Sequence, residues 1–186
     1  MNEDLRVCLK DYDPGNLIMK KNTFLRCSWY VTNNFIFRSY LFPFYFLKRL
    51  ILKIYGAKVG NGVIIKPGVS IKYPWLLEMG DYSWIGESVW IDNLAMIKVG
   101  NNVCISQGAL LLTGNHNYKK KSFDLMIGQI VLEDGCWIGA KSVVCPGVVC
   151  KTHSVLNVSS VAVHDLEPYS IYGGNPAVKI RERIIK

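Results

Sequence analysis

From Val59 to Ala162 the chain places an apolar residue at every sixth position. That period belongs neither to a helical turn of about 3.6 residues nor to the two-residue alternation of a long strand. The series runs Val59, Ile65, Ile71; Met79, Ile85, Ile91; Val99, Ile105, Leu111; it resumes at Leu132, Ile138, Val144, Cys150, Leu156 and Ala162. All fifteen positions are apolar in a chain that is 50% apolar, so chance is not a sufficient explanation. Gly follows the repeated residue at Gly60, Gly80, Gly86, Gly100 and Gly139. Four positions after it stands Val or a small residue, as at Val63, Val69, Ser83, Val89, Val103, Ala109, Ser142, Val148 and Ser160. A hexad suits one short strand and one corner, where Gly or Asn eases the turn. Three hexads then close a triangular coil, with coils starting at Val59, Met79, Val99, Leu132 and Cys150 and two extra residues bulging after each of the first two. Stacking would bury the aliphatics as an inward ladder and pair the backbone between coils, so the terminal coils need caps. The segment before Val59 and the tail after Leu166 are available for that purpose.

The register breaks from Asn117 to Val131, a stretch containing Lys119, Lys120, Lys121 and Asp124. A loop of that length in a tight solenoid is more often functional than decorative. It starts directly after His116, in Leu-Leu-Thr-Gly-Asn-His-Asn-Tyr. A lone His before a loop is by itself more often a surface or capping residue than a base.

The charge of the chain is uneven. Its formal net of +8 arises mainly before residue 59, where 10 Lys or Arg face 4 Asp or Glu; the remainder holds 12 against 10. Residues 23–55 also hold 11 of the 22 aromatic residues, so the basic segment is the most aromatic one rather than the dense basic patch of a nucleic-acid binder. Arg26, Arg38, Lys48, Arg49 and Lys53 leave uncharged runs only at 27–37 and 39–47, too short for the roughly 18 apolar residues of a membrane span. Between Phe44 and Tyr55 the spacing of Leu47, Leu50, Ile51 and Ile54 predicts an amphipathic helix ended by Gly56. Either this face packs on the main domain, or it lies with Phe42, Phe44, Phe46 and the basic residues against an anionic membrane. The six Cys form no CxxC pair, and the start, Met-Asn-Glu-Asp, is not that of a secretory leader; reduced thiols in a cytoplasmic protein are the expectation.

With these residues in view, the chain resembles the hexapeptide-repeat acyltransferases, most closely the O-acetyltransferases of colanic-acid-type exopolysaccharide biosynthesis. The resemblance rests on Gly-Ala-Lys-Val-Gly at 56–60, Ile-Lys-Tyr-Pro-Trp at 71–75, Trp-Ile-Asp-Asn at 90–93, Thr-Gly-Asn-His-Asn-Tyr at 113–118, Trp-Ile-Gly-Ala at 137–140 and Gly-Asn-Pro-Ala at 174–177. It implies an all-β fold, a left-handed parallel β-helix over 59–167 with the excursion 117–131, a helical N-terminal cap over 1–58 and a C-terminal tail over 168–186. It further implies a homotrimer with sites between subunits, acetyl-CoA as co-substrate and no metal. His116 matches the general base of sugar-acetylating relatives, a role that suits an imidazole facing a poorly nucleophilic hydroxyl. Asp92 stands where relatives carry an acceptor-binding Asn, and Asn115 and Asn117 would orient the ring or bind sugar hydroxyls, although turn propensity also explains them. Trp137, Ala140, Val158 and Ser160 match the CoA groove, and Lys179 and Arg181 would serve its phosphates where relatives' Thr-Lys is replaced by Val163 and His164.

Two other classes compete. A metal-dependent hydratase on the same fold gathers three His, and this chain has only His116, His153 and His164, without a close pair. A noncatalytic binding solenoid would share the repeats but has no need of the His segment and its excursion. The sugar and the hydroxyl are not legible; a lipid-linked acceptor would fit a peripheral membrane enzyme.

Overall fold

The computed structural model describes residues 6–14 and 22–186. The hexads wind as a left-handed parallel β-helix. The first coil consists of β1 (Lys58–Val59), β2 (Ile64–Ile65) and β3 (Ser70–Ile71); the second of β4 (Leu77–Met79), β5 (Trp84–Ile85) and β6 (Trp90–Asp92); the third of β7 (Ile97–Val99), β8 (Cys104–Ile105) and β9 (Leu110–Leu112). After an arm formed by β10 (Gly114–His116) and β11 (Leu125–Ile127), the fourth coil holds β12 (Ile130–Leu132), β13 (Trp137–Ile138) and β14 (Val143–Val144). The fifth holds β15 (Val149–Cys150), β16 (Val155–Leu156) and β17 (Val161–Ala162). Strands this short have no stability of their own, so each depends on parallel pairing with the coils on either side. The first face runs β1-β4-β7-β12-β15, the second β2-β5-β8-β13-β16 and the third β3-β6-β9-β14-β17.

All fifteen ladder residues are buried, and so are all nine of the Val or small residues four positions later. Where that second position is Ser, its hydroxyl replaces a missing backbone partner: Ser83 Oγ donates to Gly100 O at 2.7 Å and accepts from Val103 N at 3.0 Å. The glycines have a steric cause. Along one corner Asn61 N donates to Asp81 Oδ1, Asp81 N to Asn101 Oδ1 and Asn101 N to Asp134 Oδ1, at 2.7, 2.8 and 2.7 Å. A Cβ on Gly80 would lie 2.6 Å from Asn101 Oδ1, so the side-chain column and the glycine column require one another.

Both ends are capped. At the far end Leu166 pairs with Cys150, and β18 (Ser170–Gly174) adds a further parallel strand beside β16 before folding back as β19 (Ala177–Glu182). At the near end lie α1 (Thr23–Thr32), a π-helical turn over Asn33–Phe37, and α2 (Tyr45–Ile54). Asn22 caps α1 by accepting from Phe24 N, and Gly56, at φ +91°, ends α2 as its position predicts.

The packing of α2 departs from the alternative in which Leu47, Leu50, Ile51 and Ile54 all face the main domain: of the four, Ile51 packs against the core. Leu47, Leu50 and Ile54 are 39%, 46% and 71% exposed, whereas Lys48 and Leu52 are buried. The reason is that the open edge of the first coil presents carbonyls as well as apolar surface, and a purely apolar helix face would leave them unpaired. Lys48 Nζ donates to Ile65 O and Lys66 O at 3.4 and 3.3 Å, Arg49 donates to Val63 O at 3.0 Å, and the Trp29 indole donates to Ile71 O at 2.9 Å. Asn33 Oδ1 accepts from Ile71 N at 3.1 Å.

Burial pushes the Lys48 amine down to about 8 from the ordinary lysine value of 10.5. Between those two values the unfolded chain holds more protons than the folded one, so the stability contribution of Lys48 rises with pH across that window. Below about pH 8 both states are protonated and the burial penalty is fully present. Thermal melts of wild type and Lys48→Met should therefore show a difference that moves in favour of wild type from about pH 8 to about pH 10. A pH-independent difference would contradict the assignment.

Candidate active site

Three insertions fall at one corner of the β-helix, following the third face. The first is the turn Tyr73–Leu76, the second follows Asp92, and the third is the arm that leaves after β9. They are stitched in a column. The buried Asn93 accepts from Tyr73 N at 2.9 Å and donates to Tyr73 O and Leu76 O at 2.6 and 3.1 Å. The buried Thr113 hydroxyl donates to Asp92 O at 2.9 Å and accepts from Ala95 N at 3.0 Å. This column fixes the base of the arm.

The excursion expected over 117–131 is an antiparallel hairpin rather than an irregular loop. Gly114 pairs with Ile127, Asn115 with Met126 and His116 with Leu125, and Gly128 N returns to Thr113 O at 2.9 Å. Ile130 then pairs with Ile97, so the arm leaves the coil stack without interrupting it. His116 is half-buried on this arm, its ring stacked on Phe123 with centroids 4.5 Å apart and planes 8° from parallel. Its Nδ1 lies 3.0 Å from Phe123 O. A carbonyl only accepts, so Nδ1 carries the hydrogen and the neutral ring keeps its lone pair on Nε2. Phe123 itself has φ +51°, a left-handed conformation that a bulky residue adopts only under local constraint. That turn aims its carbonyl at the imidazole.

Residues 8–12 reach the same place. Cys8 N donates to Lys121 O at 2.8 Å, and the Tyr12 ring stands 5.7 Å from that of His116. Asn115 Oδ1 accepts from His116 N and Asn117 Oδ1 from Lys119 N, so both oxygens are spent on the backbone of the arm. The imidazole is oriented by Phe123, which the sequence reading missed because no motif marks a carbonyl.

Asp92 is buried at the arm's base and its Oδ1 lies 2.8 Å from Lys72 Nζ, yet among the described residues no donor meets that oxygen in hydrogen-bond geometry. The residues assigned to the CoA groove divide. Trp137 is half-exposed on the second face, its indole donating to Ser106 Oγ at 2.9 Å; Ala140 O accepts from Ser159 N at 2.8 Å beside the exposed Val158. These three share the edge that follows the second face. Ser160 is buried, its N–H donating to Ser142 Oγ at 3.2 Å and its hydroxyl accepting from Gly174 N at 3.0 Å, a joint between the last coil and β18. Lys179 is paired with Glu167 and Glu182, each at 2.7 Å, while Arg181 is exposed on β19. The three His do not gather: His153 stacks on Tyr169 at 4.8 Å and 2°, and among the described residues no group of three or more His, Cys, Asp or Glu is disposed to hold a metal ion. All six Cys are free thiols, with Cys136 and Cys150 buried inside the ladder.

A coil stack of this kind matches the left-handed β-helix acetyltransferase fold. No family model matches the chain. It is 35% identical over 156 residues to the colanic acid biosynthesis acetyltransferase WcaF of Escherichia coli, covering 84% of this chain and 86% of that one. It is 27% identical over 138 residues to the galactoside O-acetyltransferase of Escherichia coli, covering 73% and 68% of the two chains. The fold superposes on the acetyl-coenzyme A complex of the hexapeptide-repeat acetyltransferase VCA0836 of Vibrio cholerae with a TM-score of 0.78 at 22% identity, covering 87% and 88%. The chain belongs to the hexapeptide-repeat acetyltransferases.

Proposed function

We propose that the protein transfers an acetyl group from acetyl-CoA to a hydroxyl of a sugar or polysaccharide precursor, with His116 as general base. The observation that carries this reading is the hydrogen bond from His116 Nδ1 to Phe123 O, which leaves Nε2 unprotonated. The acceptor O–H gives its proton to Nε2 as its oxygen attacks the thioester carbonyl carbon. The new C–O bond forms, the C–S bond breaks, and the imidazolium returns the proton to the departing thiolate. Trp137, Ala140 and Val158 offer an edge for the pantetheine arm, and Arg181 a cation for the nucleotide phosphates. Asp92 supplies a carboxylate for acceptor hydroxyls.

Assembly belongs to the same proposal. Trp84 and Tyr82 are 53% and 62% exposed on and beside the second face, apolar area suited to a homotrimer in which a neighbour's coil surface completes each site. The N-terminal helical segment leaves Phe24 on α1, Phe35 and Leu41 between the helices, and Phe46 and Ile54 on α2 exposed, and residues 14–77 carry ten Lys or Arg and no Asp or Glu. Among the described residues no helix is long and apolar enough to cross a membrane. That combination fits a cytoplasmic enzyme resting on an anionic membrane, where lipid-linked acceptors reside.

His116→Ala should lower acetyl transfer by roughly 10²- to 10⁴-fold without changing the sedimentation coefficient; wild-type turnover in that variant would remove the base assignment. Sedimentation should give a trimer, and the trimer should co-sediment with anionic vesicles but not neutral ones, less so at high salt. A monomer with full activity, or no binding to either vesicle, would contradict the assembly and docking proposals respectively.

A further inference from the structure

A cavity of about 620 Å³ lies between α1, the π-helical turn and the third face of the first two coils. That volume is in the range of small-molecule sites. Its walls include Arg26, Arg38, Lys72 and Asp92, so three cations face one carboxylate. The carboxylate is already held by Lys72 at 2.8 Å. Arg38 is aimed by Asn34, whose Oδ1 accepts from its guanidinium at 3.0 Å. Among the described residues Asp92 is the one acidic residue lining the cavity and is paired with Lys72, so two guanidinium groups remain for an incoming anion. Tyr30, Tyr73 and Trp90 line the same space, and aromatic side chains offer an apolar surface with a polar handle to a sugar ring. Asp92 lines the same space, its buried Oδ1 held in the ion pair with Lys72.

The cavity is joined to the reacting arm through main chain. Thr113 binds Asp92 O, and His116 stands three residues further along an extended strand, roughly 10 Å away. We infer that this cavity is the acceptor site and that it selects a saccharide bearing an anionic group, a phosphate or a carboxylate, which Arg26 and Arg38 hold in their planar forks while Asp92 takes a hydroxyl. The inference rests on the sugar-acetylating reading above and specifies its substrate class.

Titration calorimetry with coenzyme A saturating, so that its own phosphate site is filled, tests this directly. The probes are a nucleoside diphosphate glucose, glucose 1-phosphate, methyl glucuronide and neutral methyl glucoside, with the free nucleoside diphosphate as control. At least one anionic sugar should bind about tenfold or more tightly than methyl glucoside, with the margin shrinking as salt rises, and the phosphate and carboxylate arms identify which anion is preferred. In Arg26→Gln/Arg38→Gln the margin should vanish while the melting temperature and coenzyme A affinity stay unchanged. Equal affinity for charged and neutral sugars, or a margin that survives in the double variant, would overturn the inference. Binding to His116→Ala separates the two proposals: retained anion preference with lost turnover supports both, whereas retained preference with full turnover removes only the base.

Discussion

Every feature of this protein depends on main-chain pairing between strands two or three residues long. No such strand persists unless the coils above and below are in register, and the register is set by one buried side chain per hexad. The constraint has two consequences. The inside must be filled at a constant cross-section, hence the recurring Val, Ile and Leu with small partners four positions on. The ends must also be closed by groups that satisfy backbone as well as cover apolar surface. Lys48, Arg49, Trp29 and Asn33 fulfil both requirements at the first coil, and the β18–β19 hairpin does so at the last.

The same constraint decides where a site can be built. Extra residues can leave the stack only at a corner, and here all three insertions leave at the same one. Asn93 and Thr113 convert that coincidence into a rigid base by hydrogen-bonding successive insertions to each other. From that base the arm carries His116 clear of the coil surface, held by a strained turn whose carbonyl defines the tautomer. A side chain on a short, paired hairpin is positioned more accurately than one on a free loop.

The period of six is sufficient to predict the ladder and the coil starts, because burial repeats in sequence as it does in space; the paired arm begins at Gly114 and the ladder strand resumes at Ile130, bounds that a broken period at 117–131 does not mark. What the sequence did not reveal are contacts made by polar groups across large separations. Lys48 lies off the apolar face of α2 and yet is buried, since nothing in a helical spacing shows that the neighbouring surface consists of carbonyls. Phe123 and Tyr12 around His116 carry no motif, and the roles of Asn115 and Asn117 in the backbone of the arm depend on a hairpin whose pairing follows no hexad. Ser160 and Lys179 matched a binding groove by position, yet their polar groups are engaged with Ser142, Gly174, Glu167 and Glu182.

The fold delivers the His116 imidazole with its Nδ1 held against the Phe123 carbonyl, which fixes the tautomer of the neutral ring. Nitrogen-15 NMR of the neutral His116 ring, assigned by comparison with His116→Ala, reads that tautomer without reference to turnover. The structure predicts a protonated Nδ1 and an unprotonated, pyridine-type Nε2. Hydrogen on Nε2 instead would contradict it, because no lone pair would then be available to receive the proton of an acceptor hydroxyl.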